Sequence, residues 1–189
     1  MRIIAGRFKG RRLRTPRWEG LRPTADRLRE TLFNVLGARV PGARVLDGYA
    51  GTGAVGLEAL SRGAAHVTFV EQDPRAVSLI VENAAACGLG EERRDYTVER
   101  GDFVTLARRL HPRSFDLVLL DPPYQAGGPD ALEAAGRLLA DGGLLVLERA
   151  TRWPPDLPAG LRRVRDVRSG DSTLTMLAIT AGAIDPGNP

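Results

Sequence analysis

The residues best placed to do chemistry in this 189-residue chain are Asp121-Pro122-Pro123-Tyr124. They follow Leu117-Val118-Leu119-Leu120, an apolar run that reads as a strand covered on both faces. An acid at the end of such a strand projects into the cleft where α/β sheets bind their ligands. Two prolines stiffen the loop and remove two backbone donors, while their carbonyls remain as acceptors. Asp121 adds a further acceptor, so the group suits a neutral NH2, which offers two donors. Tyr124 supplies a flat face for stacking on a base, an interaction worth roughly 1–3 kcal/mol.

A second cluster is Asp47-Gly48-Tyr49-Ala50-Gly51-Thr52-Gly53, followed by Gly56. Gly51, Gly53 and Gly56 satisfy G-x-G-x-x-G between a strand and a helix, a turn that lets a ligand approach the backbone. Asp47 biases the choice of ligand. A pyrophosphate would be repelled by an anion at this place. S-adenosylmethionine carries an ammonium and a sulfonium, so a carboxylate there attracts it. Glu71, with Gln72 beside it, ends the next strand and can accept from both hydroxyls of a ribose. Asp102 can take a hydrogen bond from an adenine amino group or cap the following helix. Phe103 can pack on an adenine or fill core space. Asp47 thus favours S-adenosylmethionine over NAD as the cofactor, while Glu71 fits either.

These residues need a scaffold, and the chain supplies a regular one. Short apolar strands are expected at 44–47, 66–71, 96–100, 115–121 and 144–148. Helices are expected between them at 53–62, 74–87, 103–110 and 130–140. Such alternation predicts a Rossmann-like α/β fold, with a mainly parallel sheet and helices on both faces. Residues 162–168 and 172–180, joined at Ser169-Gly170-Asp171, read as an antiparallel end to a seven-stranded sheet. Ahead of this body, Arg2–Arg14 reads as a small basic hairpin turning near Gly6 or Gly10, and 15–23 as a loop. Thr24 is a candidate cap for a helix reaching Leu36. The expected divisions are thus 1–23, 24–180 and a frayed tail at 181–189.

Charge is unevenly placed. Residues 1–39 hold eleven basic and three acidic side chains, a net of +8, whereas the whole chain is +4. The remainder is therefore acidic by 4, and the pattern suggests an arm that binds a polyanion. Arg2, Arg7, Lys9, Arg11, Arg12 and Arg14 would grip phosphates around the target. Arg22, Thr24 and Arg27 would lie at the cleft mouth. Such contacts position a nucleic acid without reading its sequence. No Ser-His-Asp arrangement is evident, and His66 and His111 lack metal-ligand spacing, so neither covalent nor metal catalysis is expected. Cys87 is the sole cysteine, which allows no internal disulfide and suits a cytoplasmic protein.

The motifs at 47–53 and 121–124 resemble class I methyltransferases that modify exocyclic or amide nitrogens. Arg2-Ile3-Ile4-Ala5-Gly6, Leu21-Arg22-Pro23-Thr24, Asp26–Asn34 and Gly56–Ala64 narrow the resemblance to the RsmD family, over nearly the whole chain to about residue 180. That resemblance implies a methyltransferase for the N2 of one particular guanine in bacterial 16S ribosomal RNA. It also implies that the substrate is the small ribosomal subunit or an assembly intermediate, met by a monomeric enzyme. Read from the residues alone, other acceptors and chemistries stay open. They are adenine N6 in DNA or RNA, a glutamine amide, an NAD(P)-dependent oxidation, and RNA binding without catalysis.

Overall fold

The computed structural model describes residues 1–16, 18, 26–90, 94–123 and 128–180. Its seven strands are β1 (Arg44–Gly48), β2 (His66–Glu71), β3 (Tyr96–Arg100), β4 (Phe115–Leu120), β5 (Leu139–Ala150), β6 (Leu161–Ser169) and β7 (Ser172–Ile179). They form one sheet in the order β3-β2-β1-β4-β5-β7-β6. The first five are parallel, and β7 runs antiparallel to both of its neighbours. Helices α1 (Asp26–Leu36), α2 (Ala54–Ser61) and α3 (Pro74–Ala86) serve one face. Helices α4 (Phe103–Ala107) and α5 (Pro129–Leu138) serve the other. The strand order reverses between β1 and β4, so their carboxyl ends diverge into a crevice.

The expected elements are found, with differences at their ends. Helix α5 stops at Leu138 and β5 begins at once, five residues ahead of the expected start. Leu139 pairs with Phe115, but two residues further along β4 Leu117 pairs with Leu144, so β5 loops outward between them. Gly142, at φ +76°, makes that turn. Gly143 sits so close to backbone carbonyls that a Cβ would lie 2.8 Å from the Ala140 oxygen. Glycines hid the strand start because they break the apolar pattern on which strand assignment rests. Thr24, the candidate cap, and the tail at 181–189 lie outside the described residues.

The N-terminal segment folds back as a hairpin joined by an Arg2–Arg12 bridge. The buried carboxylate of Glu58 on α2 fastens it. Glu58 accepts the Ile4 and Ala5 N–H groups at 2.7 and 3.0 Å and Arg62 Nε at 2.7 Å. The wholly buried Arg29 of α1 lies 3.8 Å away and donates to the Arg2 carbonyl. Gly6 approaches α2 so closely that a Cβ would fall 1.9 Å from the Ser61 oxygen, at a φ of +83°. Asn83 of α3 completes the clamp, pairing with the Arg14 backbone and donating to the Thr52 carbonyl at 2.9 Å.

Removing one member of a buried ion pair strands the other, at a cost of roughly 3–5 kcal/mol. Glu58→Ala is expected to lose about that much stability in urea denaturation. It should also expose amides of residues 3–13 to hydrogen exchange. A loss under about 1 kcal/mol would show that the clamp is not structural.

Candidate functional site

The site is built at the carboxyl ends of the central strands, and the register sets its geometry. Gly48 lies beside Val70 and Leu120, and Leu120 beside Leu147. The next row of the sheet therefore brings Glu71, Tyr49, Asp121 and Glu148 level with one another. Asp47, two residues before Tyr49, points to the same face as the three acids, because side chains alternate along a strand. That face carries α1 and α2. Asp47, Asp121 and Glu148 line a narrow cleft there with Leu28, Leu32, Val55 and Leu174.

Tyr49 breaks the row. It takes φ +64°, a left-handed conformation that costs a non-glycine residue of order 1–3 kcal/mol. The chain thereby leaves the sheet, opening space between β2 and β4. Gly51 (φ +55°) and Gly53 (φ +75°) complete the turn. Gly56, the third glycine of the pattern, serves packing: a Cβ there would come within 2.3 Å of the Phe69 ring. Gly48 is equally confined by Leu120 and Phe103. Ala50 and Thr52 are buried in the turn, where the Ala50 N–H binds the Val70 carbonyl at 3.0 Å.

The acids differ in how well they are satisfied. Asp47 is 4% exposed and accepts one N–H, from Gly56 at 2.8 Å. Burial, with the charges of Asp121 and Glu71 nearby, pushes its pKa up to about 8 despite that bond. Glu71 accepts three backbone N–H groups, from Gly51, Gln72 and Asp73, at 2.7–2.8 Å. It thus holds the glycine turn now, with about one lone-pair site left for a ribose hydroxyl. Glu148 is hydrogen-bonded to Asp121, and burial followed by the charge of Asp121 pushes its pKa up to about 8.

Asp102 and Phe103 have structural work to do. Asp102 is the N-cap of α4, accepting the Thr105 N–H at 2.8 Å, and this bond lowers its pKa. Phe103 is 2% exposed and supports Tyr49, the ring centroids being 5.1 Å apart. Pro122 is half-buried at the cleft edge and Pro123 exposed. Tyr124, Arg22 and Thr24 fall outside the described residues.

The basic arm is not gathered round the cleft. The Arg7 N–H binds the Ser61 carbonyl at the far end of α2, and its guanidinium pairs with Asp95 just before β3, at 2.8 Å. These places lie at the amino ends of the strands, opposite the cleft. The cause is the Glu58 and Ser61 anchorage. From there the chain climbs α3: Arg14 pairs with Glu82 at 2.8 Å, and Trp18 lies under the Arg75 guanidinium near the cleft end of that helix. Arg2, Lys9, Arg11, Arg12 and Arg27 are exposed. The two ion pairs are exposed and worth little, so a phosphate can displace them.

Two features escaped the sequence reading. One is Glu148. The other is a set of arginines, Arg162, Arg163, Arg165 and Arg168, on the edge strand β6.

Comparison with known proteins agrees with this architecture. A family model described as Conserved hypothetical protein 95 matches residues 1–178. Ribosomal RNA small subunit methyltransferase D of Escherichia coli (strain K12) is 40% identical over 164 residues, covering 87% of this chain and 79% of the relative. The solved structure of yhhF from Escherichia coli superposes with a TM-score of 0.81 at 30% identity, covering 96% and 98% of the two chains. A hypothetical protein of Thermus thermophilus gives 0.76 at 35% identity, covering 95% and 99%.

The raised pKa of Asp47 has a consequence for stability. Between its ordinary value of 3.8 and the folded value near 8, the folded chain holds a proton that the unfolded chain releases. Raising the pH through that window therefore favours unfolding, and the effect levels off above about 8. Asp47→Asn keeps an acceptor for Gly56 and removes this proton. Denaturation at several pH values between 4 and 8 is expected to show a shallower decline for Asp47→Asn than for the parent. Parallel declines would mean that Asp47 is ionised in the fold.

Proposed function

The chain belongs to the family described as Conserved hypothetical protein 95, and from that membership and its cleft we propose that it methylates ribosomal RNA. In this reading it uses S-adenosylmethionine and acts on the exocyclic N2 of a guanine in 16S rRNA. The observation that carries the reading is the juxtaposition of Asp121 and Pro122 with the buried carboxylates beside the glycine turn.

The residues present fit the cofactor. Asp47, Glu71 and Asp121 converge without a basic side chain paired to Asp47 or Glu71 among the described residues. A ligand with two positive centres relieves that repulsion, whereas a pyrophosphate would worsen it. Asp47 and the turn at 48–53 would hold the methionine end, Glu71 and Gln72 the ribose, and Asp102 the adenine edge, with Phe103 supporting Tyr49 behind them. When bound, S-adenosylmethionine supplies an electrophilic methyl group.

Everything else falls to the chain. The guanine N2 lone pair is delocalised into the ring and is a poor nucleophile. Asp121 and the Pro122 carbonyl would accept its two N–H groups and turn the lone pair outward, while Pro123 keeps the loop stiff. Orientation of this kind contributes up to roughly 7–11 kcal/mol when near-attack geometry is reached. As N2 gains positive charge, the carboxylate of Asp121 stabilises it without reorganising. Tyr124, in the same motif, would stack on the base. A base within a duplex cannot reach this cleft, so the target is unpaired or flipped.

Arg2, Arg7, Lys9, Arg11, Arg12, Arg14, Arg22, Thr24 and Arg27 would hold the RNA at a distance from the cleft as well as beside it. A large substrate, the small ribosomal subunit or an assembly intermediate, suits so long a contact. The β6 arginines would add a second basic strip at the opposite edge of the sheet from β3. The enzyme would act as a monomer in the cytoplasm; among the described residues no helix is long and apolar enough to cross a membrane.

Asp121→Ala is expected to lower turnover at least roughly a hundredfold, with S-adenosylmethionine affinity nearly unchanged. Turnover measured on subunits from a strain lacking the enzyme tests this, and an unaltered rate would remove Asp121 from the mechanism. Neutralising Arg7, Arg11 and Arg12 together is expected to weaken RNA binding and to flatten its dependence on salt. An unchanged salt slope would detach the arm from the RNA.

A further inference from the structure

We propose that Glu148 is a positioning residue for Asp121, holding one carboxylate oxygen so that the other faces the amino group of the substrate. The proposal rests on the reading of Asp121 given above and adds a residue to it.

The geometry comes from adjacent strands. Leu120 and Leu147 are register partners, so Asp121 and Glu148 follow them side by side and point into the same cleft. The two carboxyl groups are hydrogen-bonded to each other. Two carboxylates cannot make that bond, because ionised carboxylates are acceptors only, so one proton lies between them. Asp121 ends its strand at the cleft and must carry the charge that attracts an amine, which assigns the proton to Glu148. Its hydroxyl then donates to Asp121 and restrains it.

The surroundings keep that proton in place. Asp121 of β4 faces Glu148, and Asp47 of β1 is the next acid along the cleft. From β7, Ser172 Oγ donates to Glu148 Oε1 at 3.4 Å. Helices α1 and α2 present Leu28, Leu32 and Val55. Arg149, next in the chain, turns to the opposite face, where it binds Thr175 and Asp166. Burial and the charge of Asp121 accordingly hold Glu148 at a pKa of about 8. Above that pH the donor is lost and two anions face one another.

The test uses the full chain and small subunits lacking the methyl group. Glu148→Ala is expected to lower kcat roughly 10- to 100-fold, the worth of a hydrogen bond to a charged group. S-adenosylmethionine affinity and the KM for subunits should stay close to the parent values. Glu148→Gln keeps a donor that cannot ionise. It should retain kcat within about threefold, and the fall in kcat that the parent shows above pH about 8 should disappear. Parental kcat in a folded Glu148→Ala, or an alkaline fall preserved in Glu148→Gln, overturns the proposal. Should Glu148→Ala fail to fold, the pH profile of Glu148→Gln decides alone. Loss of activity in Asp121→Ala but not in Glu148→Ala removes Glu148 only; full activity in Asp121→Ala removes the underlying reading.

Discussion

Carboxylates crowded on one face of the sheet are the constraint to which the rest of the site answers. Asp47, Glu71, Asp121 and Glu148 lie at or beside the carboxyl ends of strands β1, β2, β4 and β5, and all point to the side of α1 and α2. A hydrophobic environment disfavours each charge, and each charge disfavours its neighbours. The fold meets this in three ways. Glu71 is given three backbone donors, Asp47 one, and Glu148 lies against Asp121 with its pKa pushed up by burial and by that neighbouring charge. The first arrangement leaves the acid well satisfied. The other two leave acids whose charged form is disfavoured until a cation arrives, which a structural role would not require.

Glu58 shows how the same chain treats an acid that serves stability. It is as deeply buried as Asp47, yet two backbone N–H groups and Arg62 surround it, with Arg29 close by. The result is a clamp between the arm, α1 and α2. Through Asn83 the clamp reaches Thr52, inside the glycine turn. The arm therefore braces the back of the turn that would carry the cofactor. An RNA contact made by the arm would bear on an element continuous with the site.

The sequence showed the scaffold clearly, because parallel strands buried on both faces read as apolar runs. The strand limits were less visible where backbone chemistry overrides pattern, as at Gly142 and Gly143. The glycine turn and Asp121 could be read directly, since their motifs are local. Glu148 could not, because its meaning depends on β5 lying beside β4, a fact of topology. A signal was nonetheless present. Val45-Leu46-Asp47, Phe69-Val70-Glu71, Leu119-Leu120-Asp121 and Val146-Leu147-Glu148 each place an acid after two apolar residues. One such ending is ordinary, but four on neighbouring strands make a line of charge.

The docking place of the arm was not legible for a related reason. Its charge was plain, but charge alone does not say where a segment docks. Glu58 looks in sequence like a surface acid on a helix, and Ser61 like a terminal polar residue. Both are buried because the arm covers them, and Gly6 permits the approach. Arginine excess and a nearby cleft suggest convergence on one point, whereas the anchors draw Arg7 to the opposite end of the sheet. The physical consequence is a separation of tasks. Cationic side chains lie along the outer flank, where exposed charge can meet phosphates with little desolvation. Acidic ones lie in the crevice, where a small cation would relieve the cost that burial places on their charged forms. With the two signs interleaved, each would neutralise the other, and neither the polyanion nor the cofactor would find a field to follow.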